Sequence, residues 1–338
     1  AGFSPWNFPV SQAVRKLAAA LAAGCTIIIK CPEETPFSTV ELVRCFADAG
    51  VPAGAVNLVF GVPAEISEYL IPAPQIRAVS FTGSIPVGKH LGQLAAQYVK
   101  RATLELGGHS PFIVCEDADP EAAVRLGLAL KYRNAGQVCA APSRYYVHER
   151  HYRRFVDAFV AGSEALKVGP GSEAGVQMGP LANSRRLDAM QAFVADAQSR
   201  GAKVLTGGKR IGNQGNFFAP TVLVDTPDDA RLMVEEPFGP LAPIAPFSSL
   251  DDAVERSNCL PYGLAAFAFT NSERTSTLLG EKLEAGMVSI NHFGIAAPET
   301  PFGGVKESGY GSEGGSEGLD AFLQTKFISE LGLKGAAA

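Results

Sequence analysis

Histidine, methionine and tryptophan are scarce in this chain, at five, four and one among 338 residues. The six cysteines stand at 25, 31, 45, 115, 139 and 259, and no two have CxxC spacing. With few imidazoles and no paired thiols there is no metal-ligand motif, and no metal is expected. A chain of this length needs no disulfide staples, so unpaired thiols point to a reducing, cytoplasmic compartment. Excess positive charge is missing as well. The 29 Lys and Arg are outnumbered by 34 Asp and Glu, giving a net charge of −5. The cations are also scattered, which argues against a nucleic-acid partner and against a polybasic membrane surface. No apolar run approaches the roughly 20 residues of a bilayer span. The stretch LAAALAAGCTIIIK is broken at Gly24 and closes on Lys30. No secretory leader, internal repeat or low-complexity linker is visible. The chain opens on AGFSPWNFP rather than on Met, so a preceding segment is expected.

What is present has ordinary globular composition, 46% hydrophobic and 19% charged, over a length that suggests two domains. Val10, Val14, Leu17 and Leu21 recur at helical spacing over 9–23, and Gly24 ends the run. CTIIIK follows as a short β-branched strand, then a helix opens at Thr35-Pro36 and runs to Ala49. VNLVF and AVSFTGS read as further strands, each followed by a helix. This alternation predicts a parallel sheet with helices on both faces. After TLELGG the pattern resumes with PFIVC, a helix over 120–134, the strand SRYYV, a helix over 152–166, and the strands KVLTGG, TVLV, PIAPF and MVSIN. Two α/β domains meeting near Gly107-Gly108 are expected.

Two glycine patterns resemble phosphate loops. Gly309-Tyr-Gly311-Ser-Glu-Gly314 satisfies GxGxxG, but no strand precedes it and it lies far from a first βα turn. It reads better as a glycine-rich loop. Gly83-Ser-Ile-Pro-Val-Gly88-Lys89 approaches a P-loop, yet His90 occupies the position of the Mg²⁺-binding hydroxyl. What remains is a strand turning into a helix near Ser84, either a pyrophosphate seat or a plain βα turn. Cys139, in NAGQVCAAPSR, is either a small buried hydrophobe or, beside Gly136, an exposed thiol of lowered pKa. Cys25, Cys45 and Cys115 are expected to be buried. Glu105, before two glycines, is a solvated carboxylate or a functional one, and Asn7 in PWNFP could simply stabilise a turn.

Taken together, these segments resemble the aldehyde dehydrogenase superfamily from the first residues to about residue 330. The motifs, in family order, are PWNFP (5–9), KCPEETP (30–36), FTGS (81–84), LELGG (104–108), GQVC (136–139), EEPFGP (235–240) and PFGGVKESGYG (301–311). The resemblance implies an α/β fold with a Rossmann-type cofactor domain over 1–107 and an α/β catalytic domain over 108–307. Residues 308–338 would return to the cofactor domain and supply an oligomerisation strand around 325–331. The family usually carries a long segment before PWNFP, so the N-terminal part of the fold is expected to be missing. With that part present, the assembly implied is a homo-oligomer, a dimer or tetramer.

The implied chemistry is NAD(P)-dependent oxidation of an aldehyde. Cys139 would attack the aldehyde carbon, and the Asn7 amide with the Cys139 backbone N–H would hold the oxyanion. After hydride transfer to the nicotinamide, Glu105 would activate the water that hydrolyses the thioester. Lys30 and Glu33 would meet the adenosine ribose and Ser84 the pyrophosphate. Trp6 and Gly83 would be further cofactor contacts. Glu236 would hold the nicotinamide ribose, with Phe238 beside it. A carboxylate at Glu33 favours NAD, with NADP possible, because it would repel a 2′-phosphate. Glu105 argues against CoA-acylating or phosphate-reducing relatives, and the retained Cys139 and Glu105 argue against a silent member of the fold.

Arg15, eight residues after Asn7, and Arg133, six before Cys139, resemble the carboxylate-binding arginines of succinate-semialdehyde dehydrogenases. That branch often has a serine where Ala296 stands, and Ala140 and Ala141 leave no neighbouring redox cysteine. Other semialdehydes, such as those of α-ketoglutarate and glutarate, fit the same pattern.

Overall fold

The computed structural model describes residues 1–331. Its first half alternates β1 (Gly2–Phe3), α1 (Pro9–Ala22), β2 (Ile27–Lys30), α2 (Pro36–Asp48), β3 (Val56–Val59), α3 (Pro63–Leu70), β4 (Ala78–Thr82), α4 (Ile85–Gln97) and β5 (Arg101–Glu105). Each of these four helices has Pro in its first turn, where the missing N–H would be unsatisfied anyway. α1 stops at Gly24, whose φ of 73° favours a residue without Cβ. The five strands are parallel, in the order β5-β4-β1-β2-β3. Their carboxyl ends therefore share one edge. The segments leaving that edge are PWNFP after β1, KCPEETP after β2, FTGS at the end of β4 and LELGG at the end of β5. Strand order reverses on the two sides of β1, the switch point at which open α/β sheets form a crevice.

The second sheet is built from β6 (Ser110–Val114), β7 (Pro142–His148), β8 (Lys203–Thr206), β9 (Thr221–Val224), β10 (Leu241–Phe247), β12 (Ala265–Phe269) and β13 (Met287–Ile290). Between β10 and β12 lies β11 (Tyr262–Gly263). The helices are α5 (Pro120–Tyr132), α6 (Glu149–Glu164), α7 (Ser184–Ser199), α8 (Arg231–Val234), α9 (Leu250–Asn258) and α10 (Glu273–Lys282). The order is β13-β12-β6-β7-β10-β9-β8, parallel apart from β8. Its core is aromatic, with Phe112, Tyr145, Phe155, Phe159 and Phe267 all buried. The chain then crosses back. β14 (Val305–Lys306) pairs with β11, and β15 (Gly309–Tyr310) pairs antiparallel with β5 before α11 (Glu317–Asp320).

Several expectations change. Residues 325–331 form no strand, because none of the described strands lies alongside to complete a ladder. Residues 332–338, also included in that expectation, lie outside the described residues. The helix expected to reach Asn134 ends at Tyr132, since Asn134 and Ala135 are left-handed. Gly309 belongs to β15, and Gly311 and Gly314 (φ 81° and 76°) form a loop rather than a dinucleotide turn. Cys45 is exposed and Cys25 half-buried, while Cys115 is buried.

Candidate active site

Cys139 follows three consecutive left-handed residues, Asn134, Ala135 and Gly136, with φ of 50°, 53° and 73°. Such a run is strained for residues with a Cβ and needs surrounding structure to hold it. A Cβ on Gly136 would lie 2.2 Å from the Gly239 carbonyl oxygen, so the cysteine loop rests directly on the loop that carries Glu236 and Phe238. Hydrogen bonds fix its other side. The Asn134 amide donates to the Asn7 carbonyl at 3.0 Å, and the Asn7 amide donates to the Gln137 carbonyl at 3.1 Å. Buried Gln137 in turn accepts the Ala182 N–H at 2.8 Å. The turn after β1 and the loop before β7 are thereby tied together across the two sheets.

Between them opens a cleft of about 340 Å³ lined by Trp6, Asn7, Gly83, Ser84, Glu105, Cys139, Glu236 and Phe238, together with Arg186. Burial pushes the Cys139 thiol up to about 12, and the carboxylates of Glu236 and Glu105 add to the rise. Of the two readings of Cys139, the lowered pKa is opposed first by desolvation and then by the two carboxylates. Glu105 is 2% exposed, and neither of its carboxylate oxygens has a protein partner. Burial, then the charge of Glu313, holds its carboxyl well above the usual range, although Lys16 and Arg15 oppose the shift. Burial also lifts Glu236 to about 8, against the Gly108 N–H, Arg186 and Lys131.

Behind Glu105 lies a buried ion pair that the motifs did not reveal. Lys16 is paired with Glu313, donates to Thr82 Oγ1 at 2.7 Å, and is 1% exposed. Ser80 donates to the same Glu313 oxygen at 3.3 Å.

The sequence pattern of the aldehyde dehydrogenase family matches residues 1–328. This chain belongs to the aldehyde dehydrogenase family. The 4-(hydroxymethyl)benzenesulfonate dehydrogenase TsaD1 of Comamonas testosteroni is 51% identical over 328 residues, which are 97% of this chain and 68% of that protein. The NADP-linked succinate-semialdehyde dehydrogenase GabD of Escherichia coli (strain K12) is 42% identical, with 97% and 68% covered. Among solved structures, the NAD⁺ complex of an aldehyde dehydrogenase from Bacillus cereus superposes with a TM-score of 0.93 at 40% identity, over 96% of this chain and 66% of the other.

In this aldehyde dehydrogenase chain the residues suit a dinucleotide. Ser84 is the N-cap of α4 and makes no side-chain cap bond, which leaves the first-turn N–H groups free for an anion. A Cβ on Gly83 would meet the Phe81 ring at 2.4 Å. Trp6 and Phe238 meet edge to face at 5.7 Å between centroids, and Glu236 Oε1 is buried without a partner. Lys30 and Glu33 form an ion pair where the chain leaves β2, one strand away from the cleft and outside its lining. The cation beside Glu33 offsets the repulsion of a 2′-phosphate that its carboxylate alone would exert.

The two arginines are not among the cleft's lining residues. Arg15 lies over the Phe302 ring at 4.5 Å and donates to the Ala296 carbonyl at 3.5 Å. Arg133 lies over the Phe8 ring at 5.1 Å, next to Asn7. Arg186, Gln137, Lys16 and Glu313 were not singled out in the sequence. Gln137 lies inside the quoted GQVC motif, whereas the partners of the others are remote in the chain, 51 residues away for Arg186 and 297 for Lys16, so no local pattern marks them.

Proposed function

We propose that the chain oxidises an aldehyde bearing a distal acid group to the carboxylate, by way of a thioester on Cys139. The observation that carries this is the meeting of Cys139, Asn7 and Glu105 in one cleft between the two sheets. A thiol held near 12 is almost wholly protonated at neutral pH, so its attack needs a base. Glu105 and Glu236 are the carboxylates whose charges act on it. As the sulfur bonds to the aldehyde carbon, its proton passes to a cleft carboxylate in its ionised form and on to solvent, while the carbonyl electron pair moves to the oxygen. This oxyanion takes hydrogen bonds from the Asn7 amide and the Cys139 N–H. NAD, when bound, accepts the hydride. Glu105 then removes a proton from the water that attacks the thioester, and Cys139 leaves as the thiolate.

With Glu105→Gln, the expected trace is one burst of NADH per site followed by turnover slowed roughly 10²–10⁴-fold. Unchanged steady-state turnover would remove Glu105 from this role. Residues 1–107 serve as the cofactor domain in this reading, with Lys30 and Glu33 at the adenosine ribose. NAD is the preferred acceptor, and the ion pair leaves room for NADP. Titrating both against wild type and Glu33→Ala tests this, and a wild-type preference for NADP would refute it. The same reading proposes a cytoplasmic protein and, with the preceding N-terminal segment present, a homo-oligomer, dimer or tetramer.

Arg15 and Arg133 lie outside the lining of the cleft, against Phe302 and Phe8. In this reading a substrate therefore extends past the cleft to place its acid group between them, where a hydrogen bond to a charged group contributes about 1.5–3 kcal/mol. Succinate semialdehyde is the first candidate. The 51% identity to TsaD1, which is named for the alcohol 4-(hydroxymethyl)benzenesulfonate, supports a second candidate, the aldehyde one two-electron oxidation above that alcohol, 4-formylbenzenesulfonate. Each is compared with its uncharged counterpart, butanal or benzaldehyde. The charged member should have the higher kcat/KM, and Arg133→Ala should lower its value roughly 10–150-fold while sparing the neutral one. Equal losses for both members of a pair would show that the arginines do not read the anion.

A further inference from the structure

Arg186 stands in the first turn of α7, behind the N-cap Asn183, whose side chain accepts the Arg186 N–H. Its guanidinium reaches into the loop between α8 and β10. One nitrogen, Nη2, donates to the carbonyl of Pro237 and, at 3.2 Å, to that of Phe238. The guanidinium carbon lies 5.9 Å from the centre of the Phe238 ring. Nε is buried and has no partner.

What this nitrogen grips is strained. Phe238 has φ of 46°, in the left-handed region that a bulky residue adopts only under constraint from its surroundings. The next residue leaves no slack, since a Cβ on Gly239 would lie 2.1 Å from Met190 Sδ on the same helix α7. The turn is pressed onto α7 by packing at Gly239 and pinned by hydrogen bonds at Pro237 and Phe238. Relaxing it would swing the Phe238 ring away from Trp6 and move Glu236 relative to the cleft.

We propose that Arg186 is a positioning residue that clamps the Pro237–Phe238 turn in its left-handed form, and so presets Glu236 and Phe238 for the cofactor. The second half rests on the proposed placement of those two residues at the nicotinamide end. The first half does not, and it can be read without any cofactor. Trp6 is the only tryptophan in the chain, and it meets the Phe238 ring edge-on. Its fluorescence therefore reports the turn directly.

The test uses the full chain as wild type, Arg186→Ala, Phe238→Gly and the double variant. Ligand-free Trp6 emission and NAD affinity by calorimetry are read on each. Arg186→Ala should shift the emission of the ligand-free protein and weaken NAD binding roughly tenfold or more, the loss expected for charged donors to two carbonyls. Glycine at 238 adopts the left-handed conformation without strain. In that background Arg186→Ala should cost less than about threefold in affinity, so the two changes are strongly non-additive. Unchanged emission and affinity in Arg186→Ala would overturn the clamp, as would equal losses in both backgrounds. If Arg186→Ala does not fold, Arg186→Gln, which keeps a shorter donor, is read in its place by the same criteria. If wild type binds neither NAD nor NADP, the cofactor reading fails, and the emission shift still decides whether the clamp exists.

Discussion

The charges that act on the Cys139 thiol are those of two carboxylates, although the Arg186 guanidinium lines the same cleft, and at the scale of single residues this governs its chemistry. With the thiol near 12, the thiolate fraction at pH 8 is on the order of 10⁻⁴ and grows about tenfold per pH unit. Alkylation of Cys139 in the ligand-free protein should climb at that rate from pH 7 to 9 without levelling off. Peptide mass analysis must resolve it from exposed Cys45 and Cys259. A plateau near neutral pH would mean that an unrecognised cation activates the thiol. Glu236 carries a linked effect on stability. Its folded pKa of about 8 lies above the ordinary 4.5, so between these values the folded form keeps a proton that the unfolded chain has released. Stability then falls as pH rises through that window. Burial lowers Lys131 from 10.5 to about 7, which has the opposite sign and acts only above pH 7. His109, lowered by burial, and Glu105, raised by it, also titrate there with opposite signs, so the effect is read as a difference. From pH 5 to 7 the melting temperature of Glu236→Gln should gain on that of wild type as pH rises. Parallel curves would show that Glu236 titrates normally.

At the scale of elements, the loop before β7 is the most constrained part of the site. Gly136→Ala would place a methyl carbon 2.2 Å from the Gly239 oxygen at a φ of 73°. Either the cysteine loop or the clamped turn must move. Activity should be lost and the melting temperature lowered, with a cost of several kcal/mol from backbone strain and overlap. A variant as stable and active as wild type would show the two loops are not in contact. The helix–strand alternation was legible because apolar spacing switches between periods of 3.6 and 2. The strand β12, AAFAF, was not anticipated, although it sits centrally between β6 and β13. It is buried on both faces, so it shows no alternation, and its alanines have no strand preference of their own. The strand expected at 325–331 failed for the converse reason: a suitable sequence forms a strand only beside a partner.

At the scale of the whole molecule, catalytic geometry depends on how the two sheets meet. Asn134, just ahead of β7, reaches the Asn7 carbonyl beyond β1, and this bond crosses from one sheet's loops to the other's. Asn134→Ala should cost more than the roughly 1 kcal/mol of one such bond, because Asn tolerates the left-handed φ of 50° better than Ala does. It should lower kcat more than it raises KM for cofactor, because it loosens Asn7 and Cys139 rather than the α4 N-terminus. A pure KM effect would place the coupling elsewhere.

By itself the sequence determined the family, the α/β class and which side chains to examine at the cleft, because motifs such as LELGG and GQVC are contiguous and their glycines answer local backbone needs. Only the tertiary structure decided the protonation of Cys139, the ion pair of Lys16 with Glu313 and the grip of Arg186 on Phe238. Each of these depends on burial and on partners distant in the chain, and electrostatic energy follows distance through space rather than separation along the sequence.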